Sequence, residues 1–306
     1  MSAPTAPPRP TLEHWILLGI LTVLWGSAYA FIKHAVVFLP PTALIFVRIS
    51  IAALILTSWA IFRGRRMPAL TDVRWLWFAA LGLFGNTLPF FLISWGQQTL
   101  DSALTGILVA VMPLFTLVLA HIFVPGERMN LQRVAGFLIG FVGVIILLGP
   151  TALAGMGGPD LVSQIAVLGA AACYAINAIL ARLLPETPAS VSGAGMLITA
   201  ALLALPFGAW SLYHAHDAPL TAWGAVLWLA IAPTAIASVM LMHVARTAGP
   251  GFLSIVNYLT PVAAVITGIL IGETIGWTTL LALAVILAGV WLARREPGRQ
   301  SRNIQK

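Results

Sequence analysis

The stretch Leu131–Pro150 reads LQRVAGFLIGFVGVIILLGP, and from Val134 to Gly149 it carries no charged or polar side chain. About 20 helical residues, rising about 1.5 Å each, cross the roughly 30 Å hydrocarbon core of a bilayer. One such run would fit a buried helix of a soluble protein equally well. Comparable runs recur about ten times in these 306 residues, and a soluble core has no use for that many.

Charge settles the same question independently. Only 8% of the residues are Asp, Glu, Lys or Arg, against roughly 25% in soluble domains. A soluble fold of this length could not cover its surface with so few. The net charge of +7 suggests nucleic acid at first sight. The basic residues, however, sit in short gaps between apolar runs, which is the positive-inside pattern of membrane proteins and not a recognition surface. Cys173 is the single cysteine, so no disulfide forms within the chain, and its apolar setting predicts inert packing. The opening MSAPTAPPRP is Pro-rich, and a disordered tail is expected over residues 1–13. It lacks the regions of a cleavable signal peptide, so the first apolar segment is expected to stay as a spanning helix.

Ten segments follow from the apolar runs and their Gly and Pro punctuation: 14–32, 41–62, 74–95, 101–124, 131–149, 161–184, 190–212, 220–243, 251–271 and 277–293. An even number puts both termini on one side. Assigning that side to the cytoplasm places 14 Lys and Arg residues inside and Lys33 alone outside, with Arg48 left within segment 2. Short loops carry this rule. Both termini are therefore expected in the cytoplasm, and residues 294–306 form a basic cytoplasmic tail.

The chain also repeats itself. Segments 4–5 carry Pro113, a turn with Gly126-Glu127, then an apolar helix with a late glycine. Segments 9–10 carry Pro261, Gly272-Glu273 and the same kind of helix. The link 150–160 divides the chain into halves 14–149 and 161–293, five helices each. Five is odd, so the second half enters the membrane inverted relative to the first, as in many secondary transporters.

The motifs LWGSAYAFIK (24–33), FVR (46–48), GLFGNTLPFFLISWGQQTLDSALTGIL (82–108), MPLFTLVLAHIFVPGE (112–127) and TPVAAVITGILIGE (260–273) then carry a resemblance. In order and spacing they resemble the EamA-type bacterial exporters of the drug/metabolite transporter superfamily, over residues 14–293. The resemblance implies an all-α protein of ten helices in two EamA repeats. It also implies a multi-pass location in the bacterial inner membrane and efflux of amino acids or other small metabolites, with exporters of neutral and aromatic amino acids nearest. Pro125 stands where that family usually has Leu before Gly-Glu, a difference that bears on loop shape.

Polar groups inside the segments are few, and each has a plain alternative. Arg48 is the one strongly charged side chain well inside a helix; structural or gating hydrogen bonding, substrate contact and snorkelling all stand open. No carboxylate lies mid-helix. Asp101 stands where it would cap segment 4. Glu127 and Glu273 sit in turns, as conformational groups between helices. Asn86, flanked by Gly82, Gly85 and Pro89, is either cavity-lining or helix–helix glue. Trp25 and Tyr29 lie one turn apart and either stack on a substrate or pack. Tyr174, Asn177, Asn257 and Tyr258 complete the polar-tipped set. Pro113, Pro233 and Pro261 free backbone carbonyls and permit bending. A substrate path between the halves, lined from segments 1, 3, 4, 6, 8 and 9, is the expectation. Gly136/Gly140 and Gly268/Gly272 match GxxxG, which marks close packing at most.

Nothing points to catalysis, a metal or an organic cofactor: no HExxH, GxSxG, GxGxxG or P-loop is present. Without a Walker lysine no ATP drive is expected. The expected partners are a small-molecule substrate and the bilayer, with no nucleic acid, and a monomer suffices. A carrier is the reading favoured by the inverted repeat; a facilitative channel or a multidrug exporter of the same fold is the alternative.

Overall fold

The computed structural model describes residues 10–125, 127, 129–149, 159–215 and 217–294. Most of the expected disordered tail, the inter-repeat link and the basic C-terminal tail lie outside these residues. Among the described residues every regular element is helical, and ten helices are long and apolar enough to cross a membrane. They are α1 (Leu12–Val36), α2 (Pro41–Phe62), α3 (Arg74–Gly96), α4 (Ser102–Phe123) and α5 (Leu131–Leu148) in the first half. The second half holds α6 (Asp160–Leu183), α7 (Ala189–Tyr213), α8 (Leu220–Thr247), α9 (Gly251–Leu270) and α10 (Trp277–Arg294).

Local chemistry explains the ends. Pro41 opens α2 at a position where its missing N–H costs nothing. The Asn130 side chain accepts the Arg133 amide at 2.8 Å and caps α5. Gly272, at φ 91°, turns the chain out of α9 in a conformation that side chains resist. Helix α1 begins at Leu12, earlier than expected, because Thr11 and His14 close a reciprocal cap there.

Four of the ten helices are interrupted. The spiral widens to a π-helix at Leu83–Thr87 in α3 and at Ile231–Ile236 in α8. These helices occupy corresponding places in the two halves, and π-turns gather at functional sites. In α4 the break is complete: one helix ends at Val109 and the next starts at Met112, with Pro113 in its first turn. Pro113 therefore opens a second helix and does not sit inside one. In α9 the expectation was an interruption at Pro261. The irregular turn instead falls at residues 254–255, and Pro261 lies within continuous helix.

The packing follows the duplication. Helix α2 packs on its counterpart α7, α5 on α10, and α4 on α9. The contact of α1 with α9 is mirrored by α6 with α4, that of α1 with α8 by α6 with α3, and that of α2 with α8 by α7 with α3. Matching pairs of this kind are what a pseudo-two-fold axis between inverted halves produces. The α5–α10 seam is held by small residues. A methyl group added at Gly136 would strike the backbone of Gly289 and Ala293, and one at Gly289 would strike that of Gly140 and Gly136. The GxxxG at 136–140 is thus a true packing face. At 268–272 only Gly268 lies in a close contact, against Glu273 and Ala103 of α4, while Gly272 is the helix stop. Leu138, Phe141, Leu202, Phe207 and Trp210 are exposed on the outer surface, as lipid-facing side chains are.

Candidate substrate cavity

The widened turns of α3 and α8 face a central cavity of about 360 Å³. Helices α1, α3, α4, α6, α8 and α9 line it, as expected, and α2 and α7 add Arg48 and Met196. Helices α5 and α10 contribute no lining residue among those described.

Pro233 sets the geometry on the α8 side. Having no N–H, it leaves the Leu229 carbonyl without its α-helical donor. The Thr234 hydroxyl donates to that carbonyl at 2.8 Å. The same hydroxyl accepts Arg48 Nε at 2.9 Å. The Arg48 guanidinium also stacks 3.9 Å from the centre of the Phe90 ring. Arg48 is buried to 4% exposure and reaches toward the cavity and not to the membrane surface, which removes the snorkelling alternative. Nη1 and Nη2 bond to no protein atom among the described residues. Trp25 Nε1 donates to the Pro233 carbonyl at 3.1 Å, which ties α1 to α8 and holds the indole at the cavity wall.

On the α3 side Pro89 frees the Gly85 carbonyl in the same way. Gly85 packs against the Asn177 carboxamide of α6, which a larger residue there would have to displace. Asn86 is buried, and its Nδ2 has no partner among the described residues; the same holds for Asn177 Oδ1. Buried polar atoms are nearly always paired, so two orphans at one cavity are notable.

The structure brings together Trp25, Tyr29, Arg48, Asn86, Pro113, Tyr174, Asn177, Pro233, Asn257 and Pro261 around this space. It leaves out two expected members. Tyr258 turns away toward α10, where its hydroxyl donates to the Val290 carbonyl at 3.3 Å and its ring packs in the α5–α10 core. Pro89 is buried but off the wall; Phe90, Ile93 and Met112 take the lining positions. Phe90, Thr234 and Ser238 were missed by sequence reasoning. The signal for the last two lay in their position just after Pro233.

The expected cap of α4 is also corrected. Asp101 makes no side-chain capping bond. Glu273, from the turn between α9 and α10, does it instead: it accepts Ser102 N at 2.7 Å, Ser102 Oγ at 2.6 Å and Ala103 N at 3.1 Å. A carboxylate suits a helix N-terminus by dipole and by hydrogen bonding. On the same face Lys33 donates to the carbonyls of Gln97 at 3.2 Å and Leu100 at 2.8 Å. The repeat counterpart of Glu273, Glu127, lies on the face that bears Leu12 and Arg294 and pairs with Arg133 at 3.3 Å and Arg182 at 3.1 Å. On that same face a wide vestibule of about 1000 Å³ opens between α1, α2, α7 and α8. Its wall includes Val239, Met240 and Met242, interleaved along α8 with the cavity residues Ser238 and Leu241.

The EamA-like transporter family matches this chain twice, at residues 14–149 and 161–295. The chain belongs to that family. It is thus a multi-pass transport protein with a small-molecule substrate, and not an enzyme. An "Uncharacterized transporter" of Archaeoglobus fulgidus is 26% identical over 93% of this chain and 100% of its own length. The "Probable terminal-alkyne amino-acid exporter" of Streptantibioticus cattleyicolor is 28% identical over 94% and 95% of the two chains. The "Aromatic amino acid exporter YddG" of Ancylobacter novellus is 28% identical over 90% and 96%. A solved crystal structure superposes with a TM-score of 0.61 at 22% identity, over 92% of this chain and 97% of that one, a likeness of fold alone.

Proposed function

We propose that this EamA-family transporter exports small neutral metabolites, chiefly amino acids with apolar or aromatic side chains, across a bacterial inner membrane by alternating access. The observation that carries this reading is the cavity: both halves build it, and its wall combines Trp25, Tyr29, Phe90 and Tyr174 with the carboxamides of Asn86, Asn177 and Asn257. Its volume falls in the range of small-molecule sites. The two relatives named as amino-acid exporters support the substrate class and the outward direction.

Alternation is supported by the unequal use of equivalent residues. Glu273 holds α4 shut against the second half on one face. Glu127, its counterpart, makes no bond to α9 among the described residues and is engaged by Arg133 and Arg182 instead. A symmetric pair of states in which the two glutamates exchange roles is the natural cycle of an inverted repeat. In this reading the two glutamates, together with Arg48 and the three cavity prolines, control opening, and the cavity residues form the substrate path.

Counterflow tests the proposal. Purified protein in liposomes loaded with unlabelled L-phenylalanine should accumulate labelled L-phenylalanine transiently. Flux without counterflow would replace the carrier by a channel, and absence of both would remove this substrate class.

A further inference from the structure

Resting on the reading of the cavity as the substrate site, we infer that this site recognises its ligand by a carboxylate and that an α-ammonium group is dispensable. The substrate class is then apolar or aromatic monocarboxylates, with amino acids as one subset. Three observations converge. Arg48 is buried, lines the cavity, and is the sole charged residue among those doing so. Its fixed bonds use only Nε and the flat face, to Thr234 and Phe90, which leaves the edge bearing Nη1 and Nη2 without a partner among the described residues. Among the described residues no Asp or Glu lines the cavity, so none of them offers the cation a counter-charge there.

A buried ion without a counter-charge carries a large desolvation penalty. A ligand carboxylate relieves it, and the guanidinium edge offers the planar two-donor geometry that suits a carboxylate. The Phe90 contact and the Thr234 bond restrain the side chain, so that little ordering is lost when the anion arrives. An ammonium group finds no such match. Its acceptors in the cavity are uncharged oxygens, among them the unpartnered Asn177 Oδ1 and the Gly85 carbonyl freed by Pro89, and it sits in the field of Arg48. The wall therefore rewards the negative end of a zwitterion and gives the positive end an uncharged partner at most. An amine lacking a carboxylate would place two like charges together in a medium of low dielectric.

Equilibrium binding of three labelled compounds to the purified full-length protein in nanodiscs at pH 7.5 tests this: 3-phenylpropionate, L-phenylalanine and phenethylamine. The acid and the amino acid are expected to bind within about threefold of each other, and the amine at least tenfold more weakly. Arg48→Gln should weaken the acid at least tenfold, with Arg48→Lys in between. Binding of L-phenylalanine without 3-phenylpropionate would overturn the inference and leave the amino-acid reading standing. Equal binding of the amine would also overturn it, as would acid binding unchanged in Arg48→Gln. Binding of none of the three would remove both readings together. The comparison of the three compounds on the wild-type protein needs no variant, so misfolding of an Arg48 substitution would not blunt the test.

Discussion

Glu273 caps a helix that is not its own: both of its carboxylate oxygens accept backbone amides from the first turn of α4, 170 residues away in sequence. The contact joins the two halves across one face of the membrane. It also satisfies amides that the nearer Asp101, which makes no side-chain capping bond, leaves open.

Glu273→Ala should therefore lower stability by about 1–2 kcal/mol, the usual cost of losing a cap. It should also shift the protein toward the state in which that face is open. Thermal unfolding in detergent reads the first effect. Reactivity of a cysteine placed at Ser102, in a Cys173→Ser background, reads the second and should rise. Unchanged reactivity would make Glu273 a static brace.

Gly136→Leu should do more harm. Its side chain would have to enter the backbone of α10 at Gly289 and Ala293, where no flexible atom can yield. Overpacking typically costs about 1–3 kcal/mol, and backbone contact places this site at the upper end. The measured outcome is a lowered unfolding temperature with loss of folded protein. Gly224→Leu is the control, since its surroundings are open. Equal loss in both would show that the seam is not special.

These two contacts differ in how far the sequence shows them. Ten apolar runs and a one-sided charge distribution specify ten helices, because the bilayer leaves no other way to satisfy the backbone. The repeated Pro and Gly-Glu pattern specifies the inversion. Asn86 beside Gly85 and Pro89 points to an irregular helix, and the π-turn is there. What a single sequence lacks is rotation. Tyr258 and Asn257 are neighbours in the chain, yet one faces α10 and the other the cavity. The Glu273 cap was illegible for a related reason. A local rule favours Asp101 at that helix start, and only tertiary packing brings a better carboxylate to it.

Sidedness is the next prediction. The bias of 14 basic residues to one predicts that the face bearing Leu12 and Arg294 is cytoplasmic. With Cys173→Ser as background, a cysteine at Arg65 should resist a membrane-impermeant maleimide added to intact cells and react after permeabilisation. Labelling from outside would invert the topology and, with it, the direction in which the vestibule opens.

Asn86→Leu separates a transport role from a structural one. If the Asn86 amide were glue between helices, its nitrogen would donate to a neighbour, and removing it would strand a buried acceptor at a cost of about 1–3 kcal/mol. Asn86 Nδ2 has no such partner among the described residues, and the side chain is buried at the cavity wall. Leucine is similar in size and adds no polar group. Stability should therefore stay within about 1 kcal/mol of wild type, since nothing is stranded. Transport should fall at least tenfold if the cavity is the substrate site, since its wall loses an unpartnered donor. The measurement is initial efflux of labelled L-phenylalanine from liposomes, divided by the amount of folded protein from size-exclusion fluorescence. Wild-type flux per folded molecule would show that the orphaned nitrogen is no part of the site, whereas a parallel loss of folded protein and flux would return Asn86 to a packing role.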